Sequence, residues 1–387
     1  MNQRIFESAS LPTTMLGLLL LIALFAQPVA AQTEKPLTSQ ELVRLVYQLP
    51  AQPGKRDEVV EEVRRRGIDF ELTPGIRGIV ATKSGSDALL RRTLEEAARR
   101  RANPAGYVPP SAPEAAQVLA NARRVSLEAA KGLPDFVVKQ LVTRSEARGK
   151  TQNWQVRDRL TVAVSYRESA GGEQYKLLAT NGLPNVSSGA ERASYEQAGG
   201  STTTGEFASL LIRIFSEATA TDFRPAATDT LRARRTIIYD FDIKKEKASN
   251  RLLYGGGGGE TRTTTTGLRG RVWIDRENFR VLRAEYTTTD VEADFPIRQL
   301  DKAIDFDWVT ISEKRYLLPI AAAATFTSIV PVTYIERGGR GKFTQTETVQ
   351  SRNEIRFRNY QRFGSEVKII EEDDDFVEEP EAPAKKP

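Results

Sequence analysis

The 387-residue sequence contains no cysteine and no histidine. The first absence excludes disulfides, thiolate metal sites, a cysteine nucleophile and a lipid-modified cysteine at a processed amino terminus. The second removes imidazole, and with it most general-base and zinc chemistry near neutral pH. No cofactor is expected from what remains, and the reading that follows is of a protein that is not an enzyme. Long apolar runs are also absent, except in the first thirty residues. There Arg4 precedes an apolar core over 15–26, Gln27 and Pro28 end it, and Val29-Ala30-Ala31 supplies small residues. This is the pattern of a secretory signal cleaved after Ala31, and the run is too short to span a hydrocarbon core of about 30 Å comfortably. An uncleaved anchor is the alternative. The expected location is the periplasm or the periphery of the outer membrane.

Charge is unevenly placed. The formal net charge is +5, yet residues 371–387 hold eight carboxylates against Lys385 and Lys386, a balance of −6 that leaves +11 on the remainder. A basic exported body can meet anionic lipid headgroups or cell-wall polymers as a peripheral contact, whereas nucleic acid is not an expected partner in that compartment. The acidic tail reads as a solvated, disordered segment that aids solubility.

Periodicity divides the rest. Thr38-Ser39-Gln40-Glu41 is a capping box before Leu42, Leu45, Val46 and Leu49. A second helix is predicted over 55–66 with Gly67 as its stop, a short third element after Thr73-Pro74, and a fourth capped by Ser86. These form a small all-α module over 32–102. Its arginine runs, 64–66 and 99–101, suggest a polyanion site, but Arg91 and Arg92 stand four residues before Glu95 and Glu96, which stand four before Arg99 and Arg100, the spacing of ion pairs on an exposed helix face, so a solvated face is expected. The alternative left open is that this module holds a protein partner. Five prolines and glycines mark 103–113 as an extended linker, and a helix follows up to Gly132.

That helix opens a domain over 114–370, in which the period beyond Leu133 is mostly two. In one run Trp154, Val156, Leu160, Val162, Val164 and Tyr166 share a face, with Asp158 the exception. Comparable runs cover 136–148, 174–180, 234–245, 268–275, 279–288, 303–311, 315–327, 343–360 and 365–370. One helix interrupts them, with Thr203 and Glu206 as a capping box and Phe207, Leu210, Leu211, Ile214 and Phe215 as its apolar stripe. The fold class is therefore α+β: a large, strongly curved antiparallel sheet, a half-open barrel covered by helices and preceded by the helical module. A transmembrane barrel has no place for that apolar helix.

Motifs that suggest catalysis fail on spacing or context. Gly149-Lys150-Thr151 lacks the first glycine of a phosphate loop, since position 144 is arginine. The pairs Asp240/Asp242 and Asp305/Asp307 put two carboxylates on one strand face about 7 Å apart. Both alternate with large apolar residues, so the expected arrangement is carboxylates outward and aromatics inward; a carboxylate-only hydrolase is the remaining enzymatic alternative. Ser365 and Lys368 have Ser-Lys spacing without the companion motifs, and Asn185-Val186-Ser187 is a glycosylation sequon only in a host that uses one. The glycines around Gly255, Gly257 and Gly259 read as a flexible loop that is also a candidate mobile lid.

Arg271-Val272-Trp273-Ile274-Asp275, Arg280 to Glu285, Asp305-Phe306-Asp307-Trp308 and Arg315 to Pro319 resemble the strand pattern of bacterial outer-membrane lipoprotein carrier and receptor proteins and their exported relatives. Gly132-Leu133-Pro134-Asp135-Phe136 and Thr204-Gly205-Glu206-Phe207 are similar to a subgroup of exported bacterial proteins of unknown function. The resemblance implies a half-open barrel with an apolar cavity for acyl chains, so the expected cargo is a lipid or an acylated protein. The residues expected to line such a cavity are Trp154, Leu160, Val162, Phe207, Leu211, Ile214, Trp273 and Trp308. Whether they line an open cavity or fill a closed core is undecided by pattern alone.

Overall fold

The structure, a computed structural model, describes residues 34–148, 153–167, 172–185, 195–255, 261–335 and 341–363. The signal segment, the acidic tail, Gly149-Lys150-Thr151, Gly257, Gly259 and the 365–370 run lie outside the described residues.

The helical module forms where the caps require it. Helix α1 (Ser39–Tyr47) opens on the capping box, with the Glu41 amide donating to Thr38 Oγ1 and the Thr38 amide donating to the Glu41 carboxylate. Helix α2 (Arg56–Arg66) stops at Gly67, whose φ of 69° is open to glycine and costly for other residues. Helix α3 (Pro74–Lys83) is capped by Thr73. Helix α4 (Ala88–Ala102) is capped by Asp87, one residue later than expected, because Ser86 itself takes a left-handed turn at φ 56°. Leu42, Val46, Val59, Val60, Val63, Leu90 and Leu94 give the module its own core. The linker is shorter than expected: a 3-10 turn at Pro104–Tyr107 packs, and α5 (Ala112–Lys131) starts at once, capped by Ser111.

Twelve antiparallel strands follow: β1 (Phe136–Arg148), β2 (Gln155–Arg167), β3 (Gly172–Thr180), β4 (Leu183–Pro184), β5 (Asp222–Leu231), β6 (Arg234–Ile243), β7 (Asn250–Tyr254), β8 (Arg262–Asp275), β9 (Val281–Thr289), β10 (Ile297–Ile311), β11 (Lys314–Ile335) and β12 (Lys342–Arg362). Their order is β4-β3-β2-β1-β12-β11-β10-β9-β8-β6-β5, with β7 beside β8. The first long strand thus pairs with the last, and the sheet ends on two edges rather than closing. Strand β5 escaped the periodicity reading because Pro225 interrupts it, which an edge strand tolerates.

The inner, concave face carries the main core. Helix α5 and helix α6 (Ala208–Phe215) lie against Phe136, Val138, Val142, Leu160, Val162, Tyr239, Phe241, Val272, Ile304, Phe306, Ile355 and Phe357. The expected capping box at Thr203 does not form. Helix α6 begins at Ala208 without a side-chain cap, and Glu206 points instead to Lys302.

Candidate ligand-binding site

Four of the eight residues expected on the concave face, Leu160, Val162, Phe207 and Ile214, are buried in the inner core, and Leu211 is half-buried against it. The tryptophans are elsewhere. A one-residue bulge pairs Arg144 with Asp158 but Ser145 with Val156, which flips the start of β2 outward. Val156 is exposed, and Trp154 lies 3.8 Å beneath the guanidinium of Arg352. Trp273 alternates with Val272 and Ile274, so it faces outward, where it packs with Leu231, Ile238 and Leu282. Trp308 is half-buried under Arg315, 5.4 Å from its ring. Gly255 is exposed with φ 123°.

The inner face also holds a polar group that the periodicity reading missed. Lys302 and Glu206, 2% and 0% exposed, form an ion pair at 2.6 Å. The Tyr175 hydroxyl reaches both Glu206 and Glu173, the Gly205 amide donates to Glu173, and the Ser209 hydroxyl donates to the same carboxylate. Burial, reinforced by the neighbouring Glu206, pushes the Glu173 carboxyl above its ordinary value. Burial works to lower the Lys302 ammonium, but Glu206 outweighs it and holds the group above its usual value. This cluster ties α6 to β3 and β10. A signal was present in the sequence: Lys302 stands between Leu300 and Ile304 at the period of the apolar face.

The outer face receives the helical module, and the arginines expected to be solvated make the joint. Arg92 Nε donates to Glu285 at 2.7 Å, with both side chains almost buried. Arg56 bridges Asp87 at 3.3 Å and Asp301 at 3.0 Å. Arg99 meets Asp229 through Nε at 3.0 Å and Nη2 at 2.7 Å, and the same carboxylate accepts from the Tyr107 hydroxyl and from Trp273 Nε1. Arg352 reaches the carbonyl of Gly85 in the module. Only part of the expected helix-face pairing remains solvated, such as Arg91 with Glu95.

Between α2, α4 and this outer sheet face lies a cleft of about 690 Å³. Its walls alternate in sign: Arg56, Arg64 and Arg92 from the helices face Asp240, Arg271, Glu285 and Asp301 from the sheet. The four aspartates weighed as catalytic pairs are outward, as expected, but each is held by a cation. Asp240 binds Arg271 at 2.8 Å, Asp242 binds Arg269 and Lys244 at 3.1 Å each, Asp305 binds Arg283 at 2.7 Å, and Asp307 binds Arg232 at 3.4 Å. Phe241 and Phe306 point inward as expected. Among the described residues no cluster of acidic side chains is placed to hold a metal ion, and no helix is long and apolar enough to cross a membrane.

These features define a class: a helical module clamped to the outside of a helix-filled antiparallel half-barrel. No protein-family model matches the chain, and no curated protein matches it. Two solved structures are similar to it, each at 12% identity over 65% of this chain and 93% of the other. One is a DUF1329 family protein from Desulfovibrio piger, with a TM-score of 0.33. The second, at 0.32, is described as an outer membrane lipoprotein-sorting protein domain from Vibrio parahaemolyticus.

Proposed function

We propose that the protein is a non-enzymatic, exported binding protein of the cell envelope, and that its ligand occupies the cleft between the helical module and the outer sheet face. The supporting observation is the cleft itself. Its volume of about 690 Å³ falls within the range of roughly 300–1,000 Å³ usual for small-molecule sites. The wall pairs charges of both signs, so the fitting ligand is a small polar solute, zwitterionic or rich in hydroxyls, that exchanges hydrogen bonds with arginines and carboxylates alike. A strongly apolar ligand would take water from these ion pairs and return no hydrogen bond in its place. The export reading comes from the amino-terminal pattern.

A second reading has its own support. Apart from the Lys302–Glu206–Glu173 cluster, the inner face is an apolar layer covered by α5 and the short α6, and such a layer suits a lipid or acyl chain. In the closed arrangement its side chains fill one another's space, with Phe136, Val162, Leu210 and Phe215 at 0% exposure. One experiment separates the two: native mass spectrometry of the protein purified from an envelope fraction, beside a Thr325→Trp variant that fills the cleft. A bound polar species lost in the variant supports the cleft. A co-purifying lipid retained by the variant transfers the assignment to the inner layer, and no bound species in either sample refutes both.

A further inference from the structure

Strand register lays out the floor of the cleft as two lines of outward residues that cross six strands, β5, β6, β8, β9, β10 and β11. Over the first three strands the lines read Asp222, Asp242, Arg269 and Arg224, Asp240, Arg271. Over the last three they become Thr287, Asp301, Thr325 and Glu285, Ala303, Ala323. Neighbouring strands lie about 4.8 Å apart, so the floor is about 24 Å long. Helix α2 walls it with Arg56, Asp57, Glu61 and Arg64. An extended chain covers about 3.3–3.6 Å per residue, so about seven residues match that length.

The two ends of this floor differ in character. Toward β5, Asp222, Arg224, Asp240, Lys244 and Arg269 are each at least half exposed. All of them are paired: Arg224 with Asp222, Asp240 with Arg271, and Lys244 and Arg269 with Asp242. Exposed pairs contribute only about 0–1 kcal/mol, so a ligand charge of either sign exchanges into them at little cost. Toward β11 the ion pairs are of another kind. Arg92 with Glu285 and Arg56 with Asp301 are all less than a fifth exposed, and breaking such pairs is costly, so they hold the module in place. What they leave for a ligand is small and uncharged: Thr287, Ala303, Ala323 and Thr325 of the floor, with Ala88 and Leu89 of α4. Taking this cleft as the ligand site, we propose that its ligand is a linear peptide of up to about seven residues, laid across the strands with acidic and basic side chains over β5, β6 and β8 and small uncharged ones over β9, β10 and β11. A neutral sugar chain brings no charge to exchange at the β5 end, and an acyl chain would dry the exposed pairs without replacing their hydrogen bonds.

Calorimetric titration of the full chain with end-capped synthetic heptapeptides tests this. A peptide joining three alanines to alternating lysine and glutamate, in one of its two orders, is expected to bind at least tenfold more tightly than an alanine-glutamine or an all-lysine peptide. Affinity is expected to rise with length to about seven residues and then level off. Photo-cross-linking on the unaltered chain reads the orientation: a diazirine at the alanine end should label 88–89 or 323–325, and one at the charged end 222–224 or 242–244. Equal affinity for charged and uncharged peptides, labels at the opposite ends, or undiminished binding by Thr325→Trp overturns the proposal. A polar species that native mass spectrometry finds on the unaltered chain and not on Thr325→Trp, without binding of any of these peptides, leaves the cleft as the ligand site and refutes the peptide. Neither a bound species nor peptide binding refutes both.

Discussion

Asp229 is where the module, the linker and the sheet meet, and replacing it should cost more than any other single joint. Its carboxylate is fully buried and accepts from Arg99, from the Tyr107 hydroxyl at 3.2 Å and from Trp273 Nε1 at 3.1 Å. Asp229→Ala takes the acceptor from all three donors together. A fully buried ion pair broken on one side costs about 3–5 kcal/mol, but Arg99 is 34% exposed and can rehydrate, so its share falls to about 1–2 kcal/mol. The Trp273 and Tyr107 donors remain in buried positions, and a stranded donor costs about 1–3 kcal/mol. The expected loss is about 3–5 kcal/mol, against about 2 kcal/mol for Asp229→Asn, which keeps one acceptor oxygen. Urea unfolding followed by tryptophan fluorescence measures it, with midpoints compared at a common slope. The control is Asp222→Ala, whose partner Arg224 is 78% exposed and whose loss should stay within about 0.5 kcal/mol. A loss below about 1 kcal/mol for Asp229→Ala, or one equal to the control, would refute the view that buried charge pairing clamps the module.

Other outcomes follow from the same contacts. Lys302→Met leaves the Glu206 carboxylate buried without its cation and should lose about 3–5 kcal/mol; adding Glu206→Gln should recover part of it, and a double variant worse than the single one would contradict this. Because the folded-state pKa of Glu173 is raised, the carboxyl carries a penalty that is absent below the ordinary value near 4.5 and grows as pH rises toward the raised one. Glu173→Gln should therefore gain stability relative to the unaltered chain above about pH 4.5 and lose that advantage in acid, as read from unfolding midpoints at pH 4 and pH 7. Gly270→Ala would bring its methyl to 2.0 Å from the Glu285 carbonyl oxygen and 2.8 Å from the Tyr286 Cα, both backbone atoms of β9. A loss of at least about 2 kcal/mol, by thermal or urea unfolding, is expected there.

The periodic patterns carried the fold a long way because local physics decides them. Strand β1 was bounded correctly, β2 and β12 nearly so, and the caps at Thr38, Thr73 and Gly67 fall where side-chain hydrogen bonds and positive φ place them. Errors arose where a nonlocal event changed the local rule. A bulge opposite Arg144 reversed Trp154 and Val156, and the Lys302 ammonium drew Glu206 away from a capping box that its spacing otherwise favours. The arginine runs were misjudged because i,i+4 spacing is the same whether the remaining face meets water or a sheet.

By itself, the sequence determined the absence of cysteine and histidine chemistry, the helical module, the alternating strands and the acidic terminus, all of which depend on composition or on spacing within a few residues. The tertiary structure alone decided which side of the sheet each module covers, that Trp273 shares a carboxylate with Arg99, and that a charged cleft opens between them. Those outcomes join residues more than a hundred positions apart, and their energies depend on burial and on the partner across the gap, neither of which a linear pattern encodes.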